Sequence, residues 1–178
     1  MLQTKIVVLE RVLDEYTAEL GGDFVGYRNH AYRVANLCFA LSSGKPERLE
    51  KIAIAAAFHD IGIWADRTFD YLPPSTRLAT AYLEKSGRAD WVPEISEIIL
   101  QHHKLSTYRD NPAWLVESFR RADLIDVSRG LFRFGLPRTF VSELYREWPG
   151  AGFHRGLVRL ELKRLRTSPL NPLPMVRL

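Results

Sequence analysis

Apolar residues recur at three- and four-residue spacing along most of the chain, with no strand-like alternation. This pattern predicts an all-α globular bundle, with breakers where its loops fall. A first helix is expected from about Leu2 to Leu20, stopped by Gly21 and Gly22, and a second from near Tyr27 to Leu41, ended by Ser42, Ser43 and Gly44. A third follows Pro46 and runs through Phe58 to end near His59, Asp60, Ile61 and Gly62. Small and apolar on all sides, it reads as the central and most buried helix. Between Gly62 and Pro74 the periodicity lapses into an expected ordered loop, after which Ser75 should cap a fourth helix closing at Ser86 and Gly87. A fifth starts around Pro93 and carries Ile95, Ile98, Ile99 and His102. A sixth starts near Pro112 and passes Asp123 to about Ser128. One or two more helices are expected beyond Pro137, and the proline-rich end from Ser168 reads as a draped tail.

Composition changes this picture little: 46% hydrophobic and 26% charged residues are ordinary for a globular protein, and 178 residues suit one domain. Cys38 is the only cysteine, which excludes an intramolecular disulfide and a thiolate zinc cage. No stretch approaches the roughly 20 apolar residues of a membrane span. Charges at Lys5, Glu10 and Arg11 interrupt the start too soon for a signal peptide, so a cytoplasmic protein without a membrane partner is expected. Much of the net charge of +4 falls between His154 and Arg166, where basic residues interleave with apolar ones at helical spacing. That segment reads as the solvated face of a terminal helix, and nucleic acid is not expected as a partner.

The informative positions are ionisable residues on faces that ought to be apolar. His30 shares a face with Tyr27, Val34, Leu37 and Leu41, while His59 shares one with Ile52 and Ala55 and is followed by Asp60. His102 continues the stripe of Ile95, Ile98 and Ile99, and Asp123 lies on the stripe of Val116, Phe119 and Val127. A buried carboxylate needs a partner, because an unpaired charge in a core costs several kcal/mol. One divalent metal ion would satisfy all of these groups, and neutral imidazoles with carboxylates suit manganese, iron, cobalt, nickel, magnesium or zinc. Each residue also has a plainer reading: an inward histidine is often a hydrogen-bonded core residue, and Asp123 could pair with Arg120 or Arg121.

The order of these residues carries more than any one of them. His30 within Tyr-Arg-Asn-His-Ala-Tyr-Arg-Val, the doublet in Ala-Ala-Phe-His59-Asp60-Ile-Gly, and Asp123 in Arg-Arg-Ala-Asp-Leu-Ile-Asp together resemble the HD-domain metal-dependent phosphohydrolase superfamily. The resemblance covers about residues 25–130, the expected metal-site core, with a C-terminal helix and tail over 137–178 completing a domain of 1–178. It implies that His30, His59, Asp60 and Asp123 ligate the metal, and that a nucleotide or other small phosphorylated metabolite is hydrolysed by metal-activated water.

The departures from the family pattern set the remaining expectations. Members with two metals have extra histidines after the doublet; here His102 and His103 stand where the later pair would be, and no other histidine lies between Asp60 and Gln101. A mononuclear site is therefore expected, with His102 acting as acid or base or contacting phosphate and His103 beside it as a substrate contact; a weak second metal, or His102 as a plain supporting partner, stays open. The glutamate that follows the doublet in deoxynucleotidase-like members is replaced by Ile61, Gly62, Ile63 and Trp64, which leaves Asp66, with Asp70 near it, as a loop candidate for activating water. Lys104 and Arg28 flank site residues and are candidate phosphate contacts. Trp64, Phe69, Tyr71 and Trp114 could wall a base pocket. The alternatives are a non-catalytic nucleotide-binding or signalling module, a nuclease, and a di-iron oxygenase.

Overall fold

The computed structural model describes residues 1–153, and the expected terminal helix and tail lie outside them. Among the described residues the chain is all-α, without strands. Its helices are α1 (Val7–Glu15), α2 (Thr17–Leu20), α3 (Phe24–Leu41), α4 (Pro46–Phe58), α5 (Gly62–Ala65), α6 (Leu72–Lys85), α7 (Val92–Gln101), α8 (Val116–Val127) and α9 (Arg138–Glu147). Short 3-10 turns precede α3 and α7.

The expected first helix divides because its start is claimed elsewhere. The Gln3 amide donates to Asn36 Oδ1 at 2.7 Å, and Asn36 Nδ2 donates back to the Gln3 carbonyl at 3.3 Å, so residues before Val7 lie against α3 instead of coiling. Helix α8 likewise starts at Val116 rather than near Pro112: the Leu115 amide is capped by Glu94 of α7 at 2.8 Å. Ser75 is not the cap of α6. The helix begins a turn earlier, with Pro73 and Pro74 in its first turn where missing N–H groups are tolerated. Ser75 is buried, and its hydroxyl accepts from the Gly62 amide at 2.9 Å.

The most deeply buried helix is α3 rather than α4. From Asn29 to Cys38 every residue of α3 is buried, whereas the first turns of α4 are partly exposed. Its polar side chains allow this because each finds a partner inside the protein, so their desolvation is repaid by hydrogen bonds. Helix α3 packs against α8, α4, α1 and α9. His59 and Asp60 follow α4 directly, so the crossing of α3, α4 and α8 brings three helix-borne groups to one place.

The segment after the doublet is pressed onto it. A Cβ on Gly62 would meet the Tyr71 carbonyl at 2.5 Å and Ser75 at 3.0 Å. Only glycine lets the start of α6 approach α5 so closely, and this approach carries Tyr71 over the site.

Candidate metal centre

Five side chains from four parts of the chain converge at this crossing. His30 Nε2 lies 2.9 Å from His59 Nε2, 3.6 Å from Asp123 Oδ1 and 3.7 Å from Asp60 Oδ2. His59 Nε2 is 3.4 Å from Asp60 Oδ2 and 3.9 Å from Asp123 Oδ1. At the end of α7, His102 Nε2 is 3.3 Å from Asp60 Oδ1. His103 joins from beside it, with Nδ1 3.5 Å from Asp123 Oδ2 and Nε2 2.6 Å from the Tyr71 hydroxyl. His30, His59, Asp60, His102 and Asp123 are all buried.

The other nitrogen of each central imidazole fixes its tautomer. His30 Nδ1 donates to Asp126 Oδ2 at 2.7 Å, His59 Nδ1 to the Ala56 carbonyl at 2.9 Å, and His102 Nδ1 to the Ile99 carbonyl at 2.8 Å. Each acceptor lacks a proton of its own, so Nδ1 carries the hydrogen and Nε2 is the atom turned to the centre. Burial drives His59 down to about 3, so this ring is neutral and presents a lone pair. Only a positive charge, a proton or a metal cation, makes its 2.9 Å approach to His30 Nε2 favourable. A proton joins two atoms, whereas a metal ion joins all the surrounding acceptors.

The carboxylates point the same way. Burial raises Asp123 to about 6 despite the pull of His102 and His30. Burial also works against an ionised Asp60, but the His59 and His102 imidazoles outweigh it and hold that carboxyl well below its usual range. Asp60 in turn raises His102 against the effect of burial. Burial, together with His102, lowers His103 well below the ordinary histidine range. Among the described residues, buried Asp60 Oδ1 and His102 Nε2 have no hydrogen-bond partner of good geometry, although they face each other at 3.3 Å. Buried orphan acceptors of this kind call for a missing partner. The groups His30, His59 and Asp60, and Asp60, His102 and His103, each have ligand atoms within 4.8 Å of one another and could hold an ion.

The arginine reading of Asp123 fails. Arg120 Nε and Nη2 donate to Glu117 at 2.8 Å, Arg121 Nε donates to Glu117 at 2.6 Å, and neither reaches Asp123. Two further candidates sit apart from the cluster. Arg28 pairs with Glu10 of α1, with Nε 2.9 Å from Oε2, and lies over the Tyr32 ring. Two residues along a helix is about 200° of rotation, so Arg28 and His30 face opposite ways. Asp66 is exposed and accepts two 2.9 Å hydrogen bonds from Arg77 of α6. Lys104 follows the histidine pair, and its carbonyl accepts from Arg120 Nη1 at 3.1 Å. Of the four aromatic residues, Tyr71 reaches His103, Trp64 leans on Tyr27 and donates to Asp23, and Trp114 packs on the main core. Phe69 packs on the small cluster of Ile63, Tyr71 and Leu72.

Sequence reasoning missed Asp126 and Arg33. The signal was present: Asp126 stands three residues after Asp123, and Arg33 three after His30, each pair on one helical face. It missed Tyr27 as a tether too. That hydroxyl donates to the Ala57 carbonyl at 2.9 Å and accepts from the Asp60 amide at 3.3 Å, fixing the end of α4 to α3.

With this geometry in view, the comparison with known families is decisive at one level. The HD domain family model matches residues 27–128, more than half of the chain and the stretch that holds every group at the centre, and the chain belongs to that family. No curated protein and no solved structure matches the chain significantly.

Proposed function

We propose that the protein is a metal-dependent phosphohydrolase acting on a nucleotide or another small phosphorylated metabolite, with His30, His59, Asp60 and Asp123 as metal ligands. The carrying observation is the 2.9 Å approach of His30 Nε2 and His59 Nε2 with two carboxylates around them, in rings whose Nδ1 atoms are already committed as donors. When bound, a divalent ion supplies Lewis acidity, activating water and polarising a phosphoryl oxygen.

The chain's own groups do the rest. His59 and Asp60 are consecutive and leave α4 in one turn, so the Tyr27 tether positions both together. His102 lies buried with Nε2 3.3 Å from Asp60 Oδ1, where it would take or give a proton while the Ile99 carbonyl holds its Nδ1. His103, partly exposed and bonded to Tyr71, and Lys104 form the rim at which substrate phosphate would be met. Ile63 and Tyr71, both buried, limit water on the α5–α6 side.

The test is a panel of nucleotides and phosphoesters assayed with manganese, cobalt, nickel, magnesium and zinc, for wild type and Asp60→Ala. Metal-dependent phosphate release by wild type and its loss in Asp60→Ala are expected. Equal, background release by both proteins from every compound would overturn the assignment.

A further inference from the structure

Behind His30 lies a second group of charges that the proposed hydrolysis does not use. Arg33 and Asp126 have no exposed surface. Arg33 clamps the Asp126 carboxylate with Nε to Oδ1 at 2.5 Å and Nη2 to Oδ2 at 2.9 Å, and Asp126 Oδ2 accepts from His30 Nδ1 at 2.7 Å. The third arm of the guanidinium, Nη1, donates to the Trp148 carbonyl at 2.9 Å. Asn29 Nδ2 donates to the Pro149 carbonyl at 2.9 Å, and the Phe153 ring stacks on the His30 imidazole at 4.0 Å and 17°.

These contacts determine more than stability. A carboxylate can only accept from Nδ1, so Asp126 selects the tautomer in which His30 Nε2 is a ligand. A two-point arginine clamp keeps that carboxylate in one plane, and the ring stacked on His30 prevents the imidazole from tipping. Trp148, Pro149 and Phe153 lie beyond residues 27–128. The segment after α9 therefore supports a site built within the family region.

Resting on the metal-site reading above, we propose that Asp126 is a positioning residue for His30. Arg33 locks it in place and ties it to the Trp148–Pro149 turn, so that metal affinity depends on this buried chain.

The test is calorimetric titration of the full chain with Mn²⁺ and Zn²⁺, for wild type, Asp126→Asn and Tyr145→Phe. The last removes a 2.7 Å hydrogen bond to the Asp126 backbone carbonyl and keeps both the Asp126 carboxylate and the ring that lies over the Arg33 guanidinium. Asp126→Asn should bind about 10- to 100-fold more weakly than wild type. Tyr145→Phe should stay within about twofold even if its melting temperature falls. Equal binding by a folded Asp126→Asn, or equal losses in both variants, would refute the positioning role. If Asp126→Asn does not fold, ring-nitrogen NMR of the wild type decides: a His30 proton on Nδ1 is expected, and one on Nε2 overturns the proposal. Wild type that binds neither ion sinks the metal reading and this proposal with it, a result distinct from tight wild-type binding matched by Asp126→Asn.

Discussion

Asp126 and Asp123 lie one turn apart on α8, both buried, and they live in opposite circumstances. Asp126 faces Arg33 and His30, and those partners overcome burial and hold its carboxyl well below the usual range. Asp123 faces imidazoles and Asp60, has no arginine partner among the described residues, and is pushed up to about 6 by burial. One half of the centre is complete without an ion, and the other is left with lone pairs facing one another. A buried carboxylate closed by arginine contributes to the fold and is chemically quiet. One left open weakens the metal-free fold and is available to a cation.

The largest way to break this contrast is to unlock the closed half. Arg33→Met leaves the buried Asp126 carboxylate without its guanidinium clamp, and should cost about 3–5 kcal/mol by chemical denaturation. A loss below about 1 kcal/mol would mean that the pair is not the lock described here. The open half responds to metal instead. An ion at about 100 times its dissociation constant should stabilise wild type by about 2.7 kcal/mol, reversibly with a chelator, and should leave the melting temperature of Asp60→Asn unmoved. The same upward shift in that variant would place the ion elsewhere.

Gly62→Ala tests how the open half is roofed. Its Cβ would need space now occupied by the Tyr71 carbonyl, so a loss of about 1–3 kcal/mol is expected, with the Tyr71–His103 bond disturbed. Unchanged stability and activity would show that the α5–α6 approach is not constrained. The smallest effect belongs to Arg28→Ala, away from both halves: about 0.5 kcal/mol, with metal-dependent activity retained. Burial raises Glu10, but its bonds from Arg28 and Tyr32 prevail and its folded pKa lies below the ordinary 4.5. The stabilisation is thus present above that value and lost as pH falls through the folded pKa. Denaturation of both proteins at pH 7 and pH 3 checks this, and a difference that grows toward acid would contradict it.

The sequence alone determined the helical class and the approximate helices, and its resemblance to the HD family singled out the four groups proposed as metal ligands. Periodicity assigns His30, His59 and Asp123 to inward faces, and a buried charge without a partner is too costly to be accidental. Local pattern could not show where elements begin when a distant side chain takes the first amide, as Asn36 does at Gln3 and Glu94 at Leu115. Nor could it sort the secondary candidates. Arg28 and Asp66 lie near site residues along the chain yet pair with Glu10 and Arg77, while Tyr27 and Arg33 of α3, Asp126 of α8 and Phe153 beyond α9 gather around the site. Helical phase says which way a side chain points, but only the packing of α3 against α4, α8 and α9 decides which charge it meets there. For a carboxylate inside a protein, that neighbour fixes whether it serves as a structural tie or a ligand.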